Sequence, residues 1–195
     1  TDADFRSAAT ILLHRPHEGE NAIFTERAIT MLEQIFTAAW LEGYRALPFT
    51  YLVMNEGLAG VAKILQQISE KHNFYPNLAT KFLDMTYEKA VRDDFASRFL
   101  NDCYSTMTTR MNAILTKESV RCFMGSDFTA KDIITSGEHP ISLFLCWPEK
   151  DLLALSPLIE LVWDSLVNGM VDAYDDLRGE GCYRTLLILD EIFRT

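Results

Sequence analysis

Two short apolar runs, Ile141–Cys146 and Thr185–Leu189, constrain this chain more than anything else in it, because the sequence on either side is patterned for helices. Each run is too short for an ordinary helix, and breakers bound them: Pro140 and Pro148 around the first, Gly179 and Gly181 before the second. A run that is apolar at nearly every position is the pattern of a strand buried on both faces. Between them lies a helical stretch with an inner stripe of Leu158, Leu161, Val162, Leu166 and Met170. Ser156 suits its N-cap and Pro157 its first turn. Two such strands joined by one helix predict a right-handed parallel βαβ crossover, whose ligand edge is the carboxyl end of the strands. The acidic end of the joining helix, Asp172, Asp175 and Asp176, then lies away from that edge.

Upstream, to about Lys117, the period is helical almost throughout. Phe24, Ala28, Met31, Leu32, Ile35 and Ala39 share one face, with Asn21 placed to cap and Gly43 to stop the helix. Pro48 suits the first turn of the next helix. A seam of Leu58, Val61, Leu65 and Ile68 follows, in which Gly57 and Gly60 would admit another backbone. After a break at residues 73–77, a fourth helical pattern runs through Leu78, Phe82, Met85 and Ala90. A fifth runs through Phe95, Phe99, Cys103, Met107, Met111 and Leu115. Residues 119–140 read as loop. The fold expected is mainly α, with an all-helical domain over residues 1–118 and a βαβ piece over residues 119–195.

Charge excludes one class of function. The formal net charge is −10, with −3 through Glu118 and −7 beyond it. Gripping duplex DNA by its phosphates needs a basic stripe, which the chain as a whole lacks. Its basic residues gather instead at Lys81, Lys89, Arg92, Arg98 and Arg110, mixed with carboxylates and with Phe82, Phe95 and Phe99. Mixed charge around aromatic anchors suits the docking of a partner segment; core phenylalanines beneath solvated charges would read the same way. The candidate partner-binding residues are Lys81, Lys89, Arg92, Phe95, Arg98 and Phe99.

Other features carry less. Cys103, Cys122, Cys146 and Cys182 form no CxxC pair, which favours a reducing compartment, with Cys146 a small buried hydrophobe. His14 and His17 with Glu18 and Glu20 are split by Pro16 and read as a surface loop, and His72 and His139 stand alone. Trp147 reads as a packing residue more than a base-stacking one. No apolar stretch is expected to span a bilayer, and no signal peptide is read. The chain opens at Thr1 without Met and reads as a piece of a longer protein.

The second apolar run ends in Asp190 and Glu191, the Walker B arrangement. There a rigid strand end delivers one carboxylate to a magnesium shell, and the next orients the attacking water. An acidic strand end is weak as a signal on its own. No GxxxxGK[ST] loop accompanies it; the stretch from Gly57 to Lys63 has neither the spacing nor the following Ser or Thr.

Taken together, the runs Ser126–Phe128, Pro140–Lys150, Leu155–Ile159 and Leu186–Glu191 resemble the TraG-like coupling ATPases of type IV secretion and conjugation. The stretch from Ile23 to Ala28 and the helices after it are similar to that family's all-alpha domain. The resemblance implies a RecA-like P-loop motor with an inserted helical domain that receives substrate. It implies a ring-forming protein anchored in the inner membrane by segments outside this chain, with the present residues in the cytoplasm. Its partners would be secretion substrates or adaptor proteins, with DNA reached through the parent. By motif match, Asp190 is the cofactor-binding, magnesium-linked carboxylate through water and Glu191 the catalytic one, with ATP and Mg in the intact parent. No cofactor and no ATPase activity are expected for this chain alone. Where the family continues Phe-Pro or Phe-Ala, this chain has Ile192, Phe193 and Arg194. The competing readings are a helical protein-binding adaptor without nucleotide chemistry and a P-loop ATPase of another kind.

Overall fold

The structure, a computed structural model, describes residues 2–15, 19, 22–137, 139, 141–147 and 151–188. Helix α2 (Ala22–Leu41) runs through the middle of the helical part because it is apolar on most of its circumference, which only a core helix can satisfy. Eleven of its residues are buried. Around it pack α1 (Asp2–Leu13), α3 (Ala46–Val53), α4 (Gly57–Lys71), α5 (Leu78–Leu83) and α7 (Arg98–Ile114). The core they enclose holds Leu12, Ile29, Leu32, Leu65, Phe82 and Met107, all fully buried. Each contributes roughly 2 kcal/mol by leaving water. The short α6 (Tyr87–Arg92), α8 (Lys117–Cys122) and α9 (Ala130–Thr135) follow, and α10 (Leu152–Asp176) packs on α9, α1 and α7.

The helix ends show why the chain turns where it does. Gly43, at φ 73°, closes α2: the Tyr44 N–H donates to the Ala39 carbonyl at 2.8 Å and the Gly43 N–H to Trp40 at 3.1 Å. That pair of bonds is a Schellman motif, which needs a left-handed residue. The same motif closes α6, with the Phe95 N–H on Ala90 and the Asp94 N–H on Val91. Here non-glycine residues, Asp94 and Phe95, take the positive φ. The Phe95 ring, set T-shaped 6.3 Å from Tyr87, supplies the apolar contact that accompanies the motif. Helix starts are capped as well: Thr86 and Ser97 accept from the third residue on, and Thr116 with Ser119 and Thr129 with Asp132 form reciprocal capping boxes.

Several expectations are corrected. The fourth helical pattern is two helices, because Asp84 turns left-handed at φ 58° and Thr86 caps a new start. Phe95 lies outside any helix, and α7 begins at Arg98. Residues 119–140 contain the end of α8 and all of α9. Gly60 makes room for the Glu56 side chain, which an added Cβ would meet at 2.7 Å, not for another helix. The joining helix starts at Leu152, leaving Pro157 inside its second turn. Cys146 is exposed. By length and composition α10 could cross a membrane, contrary to the expectation, although it packs here through Leu158 and Ala173.

The βαβ crossover is not formed among the described residues: 141–147 and 183–188 are in neither helix nor strand, with no ladder between them. A strand exists only where a second backbone takes its N–H and C=O groups. Neither run has such a neighbour here. Asn21, Leu189 and, within the His14–Glu20 stretch, Pro16, His17, Glu18 and Glu20 lie outside the described residues.

Candidate functional site

Asp190 and Glu191 lie outside the described residues, so what can be placed is the segment that leads to them. Residues 183–188 lie along α10, and the Tyr183 N–H donates to the Ile134 carbonyl at 2.7 Å. Tyr183, Thr185 and Leu187 share a cleft of about 290 Å³ with Ile134, Val167 and Met170. The alternate residues Leu186 and Ile188 are 80% and 79% exposed. Tyr183 and Leu187 are themselves 57% and 49% exposed, so the cleft covers this segment only in part. Among the described residues no group of three or more His, Cys, Asp or Glu could hold a metal. The sequence also carries no phosphate-cradling loop.

The mixed-charge face is fully placed, and it divides. Phe82 is wholly buried and meets Tyr104 at 6.3 Å, while Phe95 packs inward on Tyr87. Phe99 is different. Its ring tilts on Phe24 at 5.5 Å and stays 39% exposed, and Ile23 on the first turn of α2 is also exposed. The starts of α2 and α7 thus present an apolar patch. Sequence reading missed Ile23 and Phe24 as part of it, although two apolar side chains in a helix's first turn were there to be seen.

The candidate charged residues lie on α5, α6 and α7. Arg98 and Asp102 form an exposed pair at 3.8 Å, which is worth little by itself. Lys89 and Arg92 are exposed on α6, one turn apart, and no ion pair to either occurs among the described residues. Lys81 is exposed at the end of α5, and its position is set from below. Arg27 of α2 donates to the carbonyls of Lys81 at 2.7 Å and Phe82 at 3.0 Å, and sits 3.9 Å from Asp84. Burial lowers the Arg27 pKa from its ordinary value, with Asp84 opposing. Burial likewise raises the neighbouring Cys103 thiol, against the pull of Arg27. The Tyr104 hydroxyl, donating to the Met54 carbonyl, is pushed up to about 12 by burial. These groups brace the patch and offer no nucleophile or base to solvent.

Comparison with known proteins supplies the wider setting. No curated protein and no solved structure matches the chain significantly. The family described as type IV secretory system conjugative DNA transfer matches residues 3–195. Since that match spans the helical part, α10 and the run into Asp190 alike, the chain belongs to the type IV secretory system conjugative DNA transfer family.

Proposed function

We propose that this chain is the substrate-receiving helical part of a conjugative coupling protein, residues 1–118, together with the Walker B portion of its motor, residues 119–195. The observation that carries the first half is the exposed apolar patch of Ile23 and Phe99, on a chain whose 81–102 stretch mixes Lys81, Lys89, Arg92 and Arg98 with Asp84, Glu88, Asp93, Asp94 and Asp102. An apolar anchor combined with charges of both signs selects a protein segment by fit and register, because a few buried residues supply most of the binding energy. It is a poor grip for duplex DNA, since the flanking charges nearly cancel. The partners are secretion substrates or adaptor proteins, with DNA carried through the whole assembly.

For the second half, the family membership and the apolar run into Asp190 and Glu191 support a motor that hydrolyses ATP as a ring of copies, in the cytoplasm and anchored at the inner membrane. When bound, Mg·ATP would supply a polarised γ-phosphate. Asp190 would meet the metal through water and Glu191 would orient the attacking water. The present chain alone should hydrolyse no ATP above background. In the intact protein, Asp190→Asn or Glu191→Gln should lower turnover by on the order of 100-fold. Normal turnover in the Glu191→Gln protein would remove its assigned role.

Titration of the 195-residue chain with a secretion substrate, and separately with duplex DNA at physiological salt, tests the docking face. Micromolar protein binding that weakens about tenfold in Phe99→Ala, and also in the Lys89→Glu, Arg92→Glu pair, is expected. Tight, salt-steep DNA binding with no protein partner would overturn the reading.

A further inference from the structure

A second surface lies at the other end of α2, about 25 Å from Ile23 at 1.5 Å per residue. We propose that the groove there binds an extended, proline-containing peptide segment of a partner protein, with a basic residue at its edge. The groove has a volume of about 510 Å³ and lies between the end of α2, α3 and α4. One wall is the Tyr44 ring, stacked on Phe49 at 5.6 Å and 14°, yet 61% exposed. Ile64 and Ile68 of α4 line the groove with them, and Gln67 and Glu70 add the polar groups. Glu42 and Lys71 also line it.

Charge and shape select the occupant. The Glu42 carboxylate is already engaged, by Lys71 Nζ and by His72 Nε2, each at 3.1 Å. Glu70 accepts only from the Gln66 amide at 3.1 Å and has no cation among the described residues. The groove therefore keeps one uncompensated negative charge beside an aromatic wall, on a chain of net charge −10. That combination favours an incoming arginine or lysine, which the wider field also steers. Only helices meet here, so no strand edge is open to an added strand. A docked helix needs apolar positions repeating over several turns, and this groove is lined by only four apolar side chains. A polyproline segment needs less. It has no internal hydrogen bonds, so its carbonyls are free for the Gln67 amide, and it loses little entropy on lying against an aromatic face.

The test is titration of the 195-residue chain with four peptides: decaproline flanked by arginine, decaproline flanked by glutamate, a Gly/Ser peptide of equal length, and an amphipathic helical peptide. Amide shifts of Tyr44 and Gln67 in ¹H–¹⁵N spectra report the site. Saturable binding of the arginine-flanked peptide is expected, weakened about tenfold by Tyr44→Ala. Glu70→Gln is expected to erase the preference for arginine over glutamate while leaving proline binding in place. Both side chains are exposed, and unchanged circular dichroism confirms that the variants fold. Binding of the Gly/Ser peptide with equal affinity, tighter binding of the helical peptide, indifference to Tyr44→Ala, or no saturable binding at all would each overturn the proposal.

Discussion

Replacing Arg27 with methionine isolates the device that holds the end of α5 on α2. Methionine keeps an apolar stem of similar length, so the change removes the guanidinium and little packing. Two charge-assisted bonds to the Lys81 and Phe82 carbonyls are lost, each worth about 1.5–3 kcal/mol net. Against this, the variant no longer buries a guanidinium whose Nε has no partner, a relief of about 1–3 kcal/mol. The Asp84 contact, at 3.9 Å and with Asp84 mostly exposed, adds little. The balance is a loss of about 2 kcal/mol. In urea that moves the midpoint down by about 1 M for an m-value near 2 kcal/mol per M, and the melting temperature falls by about 5 °C. Arg27→Lys keeps the charge but lacks the fork that reaches two carbonyls, so about half the loss should remain. Urea unfolding followed by circular dichroism at pH 7 reads both. A Met variant within about 0.5 kcal/mol of the parent, or full rescue by Lys, would refute the argument that the fork caps α5.

Acid stability should depend on Glu42. Its carboxyl is held below the usual carboxylate range, first by the hydrogen bond from Lys71 and then by that from His72. A depressed folded pKa contributes stability that is full above the unfolded carboxylate value and is lost as pH falls through the folded one. Urea midpoints should therefore fall below about pH 5, and less steeply in Glu42→Gln; an identical acid limb would remove the assignment. Leu186→Asp with Ile188→Asp should leave the melting temperature within about 2 °C and reduce binding of a hydrophobic dye, because both side chains face solvent. A large loss of stability would mean that the outer row of this segment is packed.

Much of the helical part was legible because local and global signals agree there. The α2 face, the Gly43 stop and the seam of α4 each follow from a 3.6-residue period that the core then uses. The split between α5 and α6 was missed because the apolar period carries on from Phe82 to Met85 while the backbone does not. Asp84 and Thr86, a left-handed turn residue and a cap, were the signal, and both were overlooked. Phe95 misled for the same reason: it is apolar at helical spacing from Phe99, yet it closes a Schellman motif before α7 begins. The exposed face at Phe99 was half legible. The residue types at Lys81, Lys89, Arg92, Arg98 and Phe99 suggested it, but which phenylalanine faces out depends on how α2 crosses α7. That crossing lies on no single stretch of sequence.

The carboxyl-terminal third shows a different limit, and its cause is energetic. Residues 141–147 and 183–188 have the composition of central strands, with backbone groups that a helix or a sheet must pair. The helical part cannot supply that pairing, because its own hydrogen bonds are already closed within helices. Residues 183–188 accordingly take what α9 and α10 offer, partial cover in one cleft and the bond from the Tyr183 N–H to the Ile134 carbonyl. Leu153, Phe144, Leu186 and Ile188 are left largely in water. Burying such side chains is worth roughly 2 kcal/mol each, so any neighbouring backbone able to complete a ladder here would gain both its hydrogen bonds and the cover of these side chains. Strand order in these segments then becomes a property of an assembled sheet, whereas the apolar patch at Phe99 needs only the helices that already enclose their own core.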